Sequence, residues 1–209
     1  MTMGMGGAGH TMPLVPEWLG IAGAAVFVVI AASHLRHLTT ATGQRRPWHA
    51  CHVLIAVGMA FMYAPAAIDP FVIPAGFWRV VFALACVLAA LWSMGGVQRA
   101  PTLMWLLTAV DLGAMVCMWT TNLSASLCWA LVVYLGVQAS LWAVDAYRRV
   151  DGGVPVINVA GLSAAPGGVA LPVAGARAES LLGDLDISVS MVLMSVGMAW
   201  MFAAMQLVA

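Results

Sequence analysis

Residues 187–207 read ISVSMVLMSVGMAWMFAAMQL, an apolar run without a single charge. At about 1.5 Å per residue, a helix of this length crosses the roughly 30 Å hydrocarbon core of a bilayer. The whole chain has the same character, since 63% of its 209 residues are hydrophobic and 8% are charged. Soluble domains have about 45–50% apolar and about 25% charged residues. The sequence therefore predicts an integral membrane protein.

Six segments of this kind follow one another, at 18–35, 48–65, 77–94, 102–120, 125–144 and 187–207. The predicted fold is an all-α, polytopic membrane bundle of six transmembrane helices, with the N-terminus and the C-terminus outside. Residues 1–17 form an extracytoplasmic tail and 18–144 a five-helix transmembrane region. Residues 145–186, rich in Gly, Pro and Ala, are predicted to be a flexible cytoplasmic loop before the sixth helix at 187–209.

Arginine placement gives the direction of the chain, because basic residues stay in the cytoplasm. With the N-terminus outside a bacterial cytoplasmic membrane, every arginine but Arg79 falls in a cytoplasmic segment. Tryptophan prefers the headgroup level and supports the same boundaries. The predicted outer belt is Trp18, Trp78, Trp119 and Trp129, and the inner belt is Trp48, Trp92, Trp105 and Trp142, with Trp200 deeper. The absence of lysine and the zero net charge argue against a nucleic-acid partner.

Methionine is frequent, at 15 residues, and regularly spaced. Three helices that are predicted to run in the same direction each carry two methionines, three residues apart, shortly after a glycine. Glycine allows close helix approach in membranes, so the six thioethers are predicted to converge at one depth. The three sets are Gly58 with Met59 and Met62, Gly113 with Met115 and Met118, and Gly197 with Met198 and Met201. The last pair belongs to a stripe formed by Met191, Met194, Met198, Met201 and Met205.

Thioethers are soft ligands that favour Cu(I) over zinc, magnesium or calcium. We therefore predict a protein that binds or conducts copper(I) through its Met-lined bundle, as a transporter or as a factor delivering copper to a membrane cuproenzyme or respiratory complex. Methionine is also an adaptable packing residue, so a cofactor-free accessory subunit of a membrane complex stays open. The predicted metal residues are Met59, Met62, Met115, Met118, Met198, Met201, Asp111 and His52. A collecting role is predicted for the tail, which holds Met1, Met3, Met5, His10 and Met12.

Asp111 lies midway along the fourth helix, where a carboxylate is costly and usually faces the bundle interior or a polar cavity. It shares a helix face with Met115 and Met118. There it could attract a cation or relay a proton. It could equally accept a hydrogen bond from Thr108, a serine or another interior donor, or pair with Arg79, and the sequence leaves these alternatives open.

Four histidines flank the first predicted cytoplasmic turn. His34 and His37 are three residues apart at the end of helix one, and His49 and His52 have the same spacing at the start of helix two. Because the connecting loop is short, we predict a four-imidazole patch that could bind copper or hold haem b through axial ligands. An electron-transfer subunit with haem b is thus an alternative function, and lipid-facing or capping histidines are the simpler reading.

Motifs of common enzymes do not occur. The chain has no nucleophile triad, phosphate-binding glycine loop or HExxH sequence, so hydrolytic or nucleotide-driven activity is not expected. The four cysteines lack paired or zinc-type spacing and are expected to be packing residues. A pairing of Cys117 with Cys128 is left open.

Two stretches carry a resemblance to a known family. They are RPWHACHVLIAVGMAFMYAP at 46–65 and SMVLMSVGMAWMFAAM at 190–205. The chain resembles an uncharacterised family of actinobacterial multi-pass membrane proteins, a domain of unknown function, over most of its length. The resemblance implies a polytopic bundle in an actinobacterial cytoplasmic membrane and implies no catalytic residues.

Overall fold

The computed structural model describes residues 16–64, 73–94, 102–120, 123–151 and 174–208. Regular structure in these ranges is entirely helical. Residues 1–15 of the predicted tail, with its methionines and His10, and 152–173 of the predicted loop lie outside the described residues. The six helices are α1 (Glu17–Thr40), α2 (Arg45–Tyr63), α3 (Ala75–Met94), α4 (Thr102–Met118), α5 (Ala125–Val150) and α6 (Ala174–Val208).

Four stretches of helix are long and apolar enough to cross a bilayer, namely Glu17–Thr40, Ala75–Met94, Ala125–Val150 and Asp184–Leu207. The chain is therefore a helical protein of a lipid bilayer. The other two of the six predicted spans do not qualify by length and composition, because α2 begins with two arginines and carries two histidines, and α4 has 17 residues.

Burial explains the polar composition of α2. From residue 51 to its end at Tyr63 none of its residues is exposed, whereas α1, α3 and α5 carry most of the large exposed apolar side chains. A helix covered by other helices needs no continuous apolar surface toward lipid, so imidazoles can be accommodated if protein groups surround them. The outer helices provide the lipid-facing surface instead.

Consecutive helices pack as the pairs α1–α2, α3–α4 and α5–α6, and α2 also contacts α4 and α6. One end of the bundle gathers the C-terminal turns of α1, α3 and α5, the N-terminal turns of α2 and α4, and the part of α6 around Asp184 and Asp186. Gln44 before α2 accepts a hydrogen bond from Trp105 of α4, whose ring packs against Trp92 of α3. Each pair is thus antiparallel, and α2, α4 and α6 start at the same end. We call it the polar end, defined by His34, His37, Arg45, Asp145, Arg149, Asp184 and Asp186.

The segment predicted as a flexible loop, 145–186, is helical at both of its ends. α5 continues to Val150, and α6 already begins at Ala174. The Gly, Pro and Ala content that predicted a loop thus does not prevent helix at 145–150 and 174–186. Contacts between the two helices hold this region, since Arg149 donates to Asp145 at 2.7 Å and to Asp184 at 3.2 Å.

The tryptophans are divided between lipid and interior. Trp78 and Trp119 stack at the end opposite the polar end, with ring centroids 5.7 Å apart. They share one end of the bundle, as in the predicted belt, but they are buried in protein, as are Trp48, Trp105 and Trp142. Headgroup preference therefore accounts only for exposed rings, which are those of Trp18, Trp92, Trp129 and Trp200.

Candidate metal-binding interior

The predicted methionine sets of α2, α4 and α6 face the interior. Met59, Met115 and Met198 are 0%, 0% and 1% exposed. Of their partners, Met118 and Met201 are also buried and Met62 is partly buried. The α6 stripe is interior over Met191, Met194, Met198 and Met201, and Met205 is partly buried.

Two glycines let side chains of neighbouring helices approach the backbone closely, and at each the nearest side chain is a phenylalanine: Phe82 and Phe27 would each lie 2.5 Å from a Cβ atom built on Gly58 and Gly197, respectively. A methionine is the next neighbour of each glycine. A Cβ atom built on Gly58 of α2 would lie 2.9 Å from the Met115 methyl carbon of α4. A Cβ atom built on Gly197 of α6 would lie 3.4 Å from the Met59 methyl carbon of α2. Met115 thus abuts the residue before Met59, and Met59 abuts the residue before Met198.

The glycine of the third set has a different neighbour. A Cβ atom built on Gly113 would meet the Cys86 sulfur of α3 at 3.8 Å. Gly113 therefore faces α3. Of the three glycines, Gly58 and Gly197 lie where methionine-bearing helices contact one another. The interior methionine layer is consequently centred on α2.

The four histidines form one cluster at the polar end. The Nδ1 atoms of His34 and His49 are 3.0 Å apart, so one ring donates and the other accepts. His34 also stacks on His52, and His37 stacks on His49, with ring centroids 5.3 Å and 5.2 Å apart. The short turn between α1 and α2 therefore brings the imidazoles of two helix faces into direct contact.

His52 is held in one tautomer. Its Nδ1 lies 2.8 Å from the backbone carbonyl oxygen of Trp48, and because a carbonyl only accepts, Nδ1 carries the proton. In the neutral ring Nε2 is then a lone-pair acceptor. This Nε2 is buried and has no hydrogen-bond partner among the described residues, and the same is true of Nε2 of His34. A histidine whose first nitrogen donates to a carbonyl while the second is open has the orientation seen in metal ligands.

His37, the most exposed histidine of the cluster, contacts Asp186 of α6. His37 Nε2 lies 3.3 Å from an oxygen of Asp186, which also accepts a hydrogen bond from Ser33. Arg36 pairs with the same oxygen at 3.7 Å. The histidines thus extend from a partly exposed carboxylate to the fully buried His52.

Asp111 faces α5. Its Oδ2 accepts a hydrogen bond from Gln138 Nε2 at 2.9 Å, and its Oδ1 accepts one from Tyr134 at 3.2 Å. The carboxylate is 2% exposed. Of the predicted alternatives, the structure shows hydrogen bonds from other interior donors, which lie on α5, whereas Thr108 donates to the backbone of Met104.

A buried ion-pair group at the polar end was missed by the sequence reasoning. Asp145 is fully buried, and its Oδ2 accepts hydrogen bonds from Arg149 and, at 2.9 Å, from Ser188. Arg45 of α2 lies 3.9 Å from Asp184. The four-residue spacing of Asp145 and Arg149 was the available signal.

Metal sites built from three or more His, Cys, Asp and Glu side chains, the histidine cluster included, have little support in the described ranges. No group of three or more His, Cys, Asp and Glu side chains there could hold a metal ion together. The four cysteines, including Cys117 and Cys128, are free thiols. Thioethers, which that grouping does not include, are the main remaining donors.

Searches of family models, of curated proteins and of solved structures find no match for this chain. The resemblance to an actinobacterial membrane-protein family therefore stays a prediction.

Proposed function

We propose that the protein binds Cu(I) within a six-span bundle and conducts it or passes it to a membrane partner, in a bacterial cytoplasmic membrane with both termini outside. Two further spans, α2 and α4, are supported by their antiparallel packing along α1 and α3. The polar end carries Arg36, Arg45 and Arg149. It is therefore assigned to the cytoplasm by the preference of basic residues for that side.

The observation that carries the copper proposal is the seating of Met115 on Gly58 and of Met59 on Gly197. These contacts bring methionine side chains of α4 and α2 against α2 and α6, and Met59, Met115 and Met198 are all buried. Sulfur donors of this kind select Cu(I). Met59, Met115 and Met198 form the proposed central site, and Met62, Met118 and Met201 lie one turn further from the polar end.

The histidine cluster is the proposed second station, nearer the cytoplasm. His52 lies seven residues before Met59, about 10 Å along the helix at 1.5 Å per residue, and its open Nε2 is a neutral nitrogen donor. His34 supplies a second open Nε2, and His49 and His37 continue the cluster toward Asp186. Asp111 is left out of the ligand set because both of its oxygens are engaged by α5.

The haem b alternative is weaker. A haem with two histidine ligands needs the porphyrin between the two imidazoles. Here the rings touch one another, and the Trp48 ring fills the space beside His52 with centroids 4.1 Å apart. Haem binding by these histidines would require α1 and α2 to separate.

Metal content and absorption spectra of the purified protein test the proposal. The protein in detergent is loaded with Cu(I) under reducing conditions, and its retention is measured against a chromophoric Cu(I) chelator. We expect retained Cu(I), sulfur scatterers in X-ray absorption and no Soret band. A triple variant, Met59→Leu, Met115→Leu and Met198→Leu, is expected to lose most of the copper at the central site.

A matched control removes three methionines away from that site, by Met94→Leu, Met104→Leu and Met205→Leu. Met94 is 79% exposed and the other two are only partly buried. This variant should retain copper as the wild type does. Equal copper retention by the two triple variants would contradict the central copper site and favour a cofactor-free accessory subunit. A Soret band that depends on the histidines would favour haem b.

A further inference from the structure

Asp111 of α4 sits in a buried polar contact with α5 that the copper proposal does not use. Gln138 donates to its Oδ2 at 2.9 Å and Tyr134 to its Oδ1 at 3.2 Å. Asp111 and Gln138 are 2% and 4% exposed. Tyr134 is partly buried, so protein covers the carboxylate and the amide more fully than the phenol.

No positive charge balances this carboxylate within the described residues, where all ion pairs lie at the polar end. Among titratable side chains, Tyr134 of α5 hydrogen bonds to Asp111. Cys86 of α3 donates its thiol proton to the backbone carbonyl of Ala109 and not to Asp111. Among the side chains that the structure describes, no titratable group of α1, α2 or α6 hydrogen bonds to Asp111. A buried carboxylate with two neutral donors and no cation is a costly arrangement.

The same cluster contains an acceptor without a donor. Gln138 Oε1 is buried and has no hydrogen-bond partner among the described residues, although Nε2 of the same amide is bonded to Asp111. An unpaired acceptor beside an uncompensated carboxylate leaves the cluster short of one proton donor. Adding one proton would remove the uncompensated charge and supply a donor for Oε1, while the amide N–H would give up its carboxylate acceptor.

We propose that Asp111 is a reversible proton-binding site in the membrane interior, with Gln138 as its proton-dependent partner. In the ionised state the Gln138 amide N–H donates to Oδ2. When a proton from water adds to the carboxylate, the amide turns over and the new carboxyl O–H donates to Oε1. The charge of the site changes from minus one to zero, and no atom changes its oxidation state.

A proton fits the cluster better than a metal cation. Hard cations collect several oxygen ligands, six or more for Ca²⁺ and Mg²⁺. Here both carboxylate oxygens already accept hydrogen bonds and one amide oxygen is open. A single O–H bond needs no more than that.

Protonation would change the contact between α4 and α5. Hydrogen bonds to an ionised acceptor are roughly twice as strong as neutral ones, so the Gln138 contact weakens when Asp111 is neutral. Met115 lies one turn further along α4 and abuts Gly58 of α2. The proton site is thus placed to alter how α4 packs, whether or not copper binds there.

Infrared difference spectroscopy of the protein in lipid vesicles, between mildly acidic and mildly alkaline buffer, tests the proposal. We expect a carboxylic-acid C=O band that appears on acidification and shifts in D₂O. Asp111→Asn, which is isosteric, should abolish the band. Gln138→Leu should keep it but move it to higher frequency, because the acceptor for the carboxyl O–H is removed.

The matched control is Asp145→Asn, which alters the other buried carboxylate, one paired with Arg149. It should leave the band unchanged. A band that persists in Asp111→Asn, or is lost in Asp145→Asn, overturns the assignment, as does a wild type without a titrating band. If Asp111→Asn fails to fold, the frequency shift in Gln138→Leu decides the question. Copper retention plays no part in this readout, so the two proposals fail separately.

Discussion

The imidazole of His52 donates from Nδ1 to the backbone carbonyl of Trp48 at 2.8 Å, and the Trp48 ring packs over it at 4.1 Å between centroids. This bond fixes the ring and presents Nε2 to the interior. The two nitrogens therefore have separate roles, one in positioning and one open to a ligand. Substitutions of His52 can therefore test the role of each nitrogen separately.

His52→Asn is expected to keep the fold and weaken copper binding at the second station. The Asn amide nitrogen can take the place of Nδ1 and still donate to Trp48, but nothing replaces Nε2. Affinity should fall by at least about tenfold, since even outer-shell changes cost about 10–100-fold. Chelator competition measures the loss, and circular dichroism checks the helical content.

His52→Gln is the complementary variant, because its amide reaches toward the position of Nε2 and not that of Nδ1. It should disturb the Trp48 contact and lower the unfolding temperature more than His52→Asn does. Wild-type copper affinity in His52→Asn would show that Nε2 binds no metal.

Gly58→Ala should destabilise the bundle. The added methyl would lie 2.5 Å from Phe82 and 2.9 Å from Met115, and Phe82 cannot retreat because Trp78 stacks behind it. Overpacking of this kind costs about 1–3 kcal/mol. Thermal unfolding in detergent measures the effect.

Gly136→Ala is the control for that experiment, since a Cβ at Gly136 of α5 meets nothing within 4 Å. Replacing a helical glycine by alanine favours the helix by about 0.5–1 kcal/mol. Its unfolding temperature should equal or exceed that of the wild type. A similar loss of stability in both variants would rule out close packing at Gly58 as the cause.

Arg149→Gln should be strongly destabilising. The Arg149 and Asp145 side chains are 6% and 0% exposed, so removal of the cation leaves a buried carboxylate, at a cost of about 3–5 kcal/mol. Arg148→Gln changes the exposed neighbour and should have little effect. Unfolding in mixed micelles compares the two, and equal stabilities would show that the ion pair adds nothing.

The six-span topology predicts opposite sides for two engineered cysteines. In a chain whose four native cysteines are replaced by alanine, Asp69→Cys should react with a membrane-impermeant maleimide from outside intact cells. Gln98→Cys should react only after permeabilisation. If α2 does not cross the membrane, Asp69→Cys will instead be protected until the cells are opened.

Much of the architecture could be predicted because helices in lipid must be apolar and must satisfy their own hydrogen bonds. Periodicity likewise placed Met59, Met115 and Met198 on interior faces, as burial confirms. The spans of α2 and α4 were harder to judge, since central helices are covered by protein and can be short or polar. The helical ends of the 145–186 segment were missed because its Gly, Pro and Ala content shows little helical periodicity, and the contact of Arg149 with Asp184 joins residues far apart in the sequence.

Composition and helical spacing alone therefore establish a membrane bundle, with methionines on one face of each of three helices. Tertiary structure decided which groups meet: Asp111 with Gln138 and not with the methionines, and Met59 with Gly197. The physical reason is that spacing determines the face of a helix on which a side chain lies, whereas the partner depends on how neighbouring helices pair and rotate. That rotation is set by close packing over the whole bundle, which no single segment encodes.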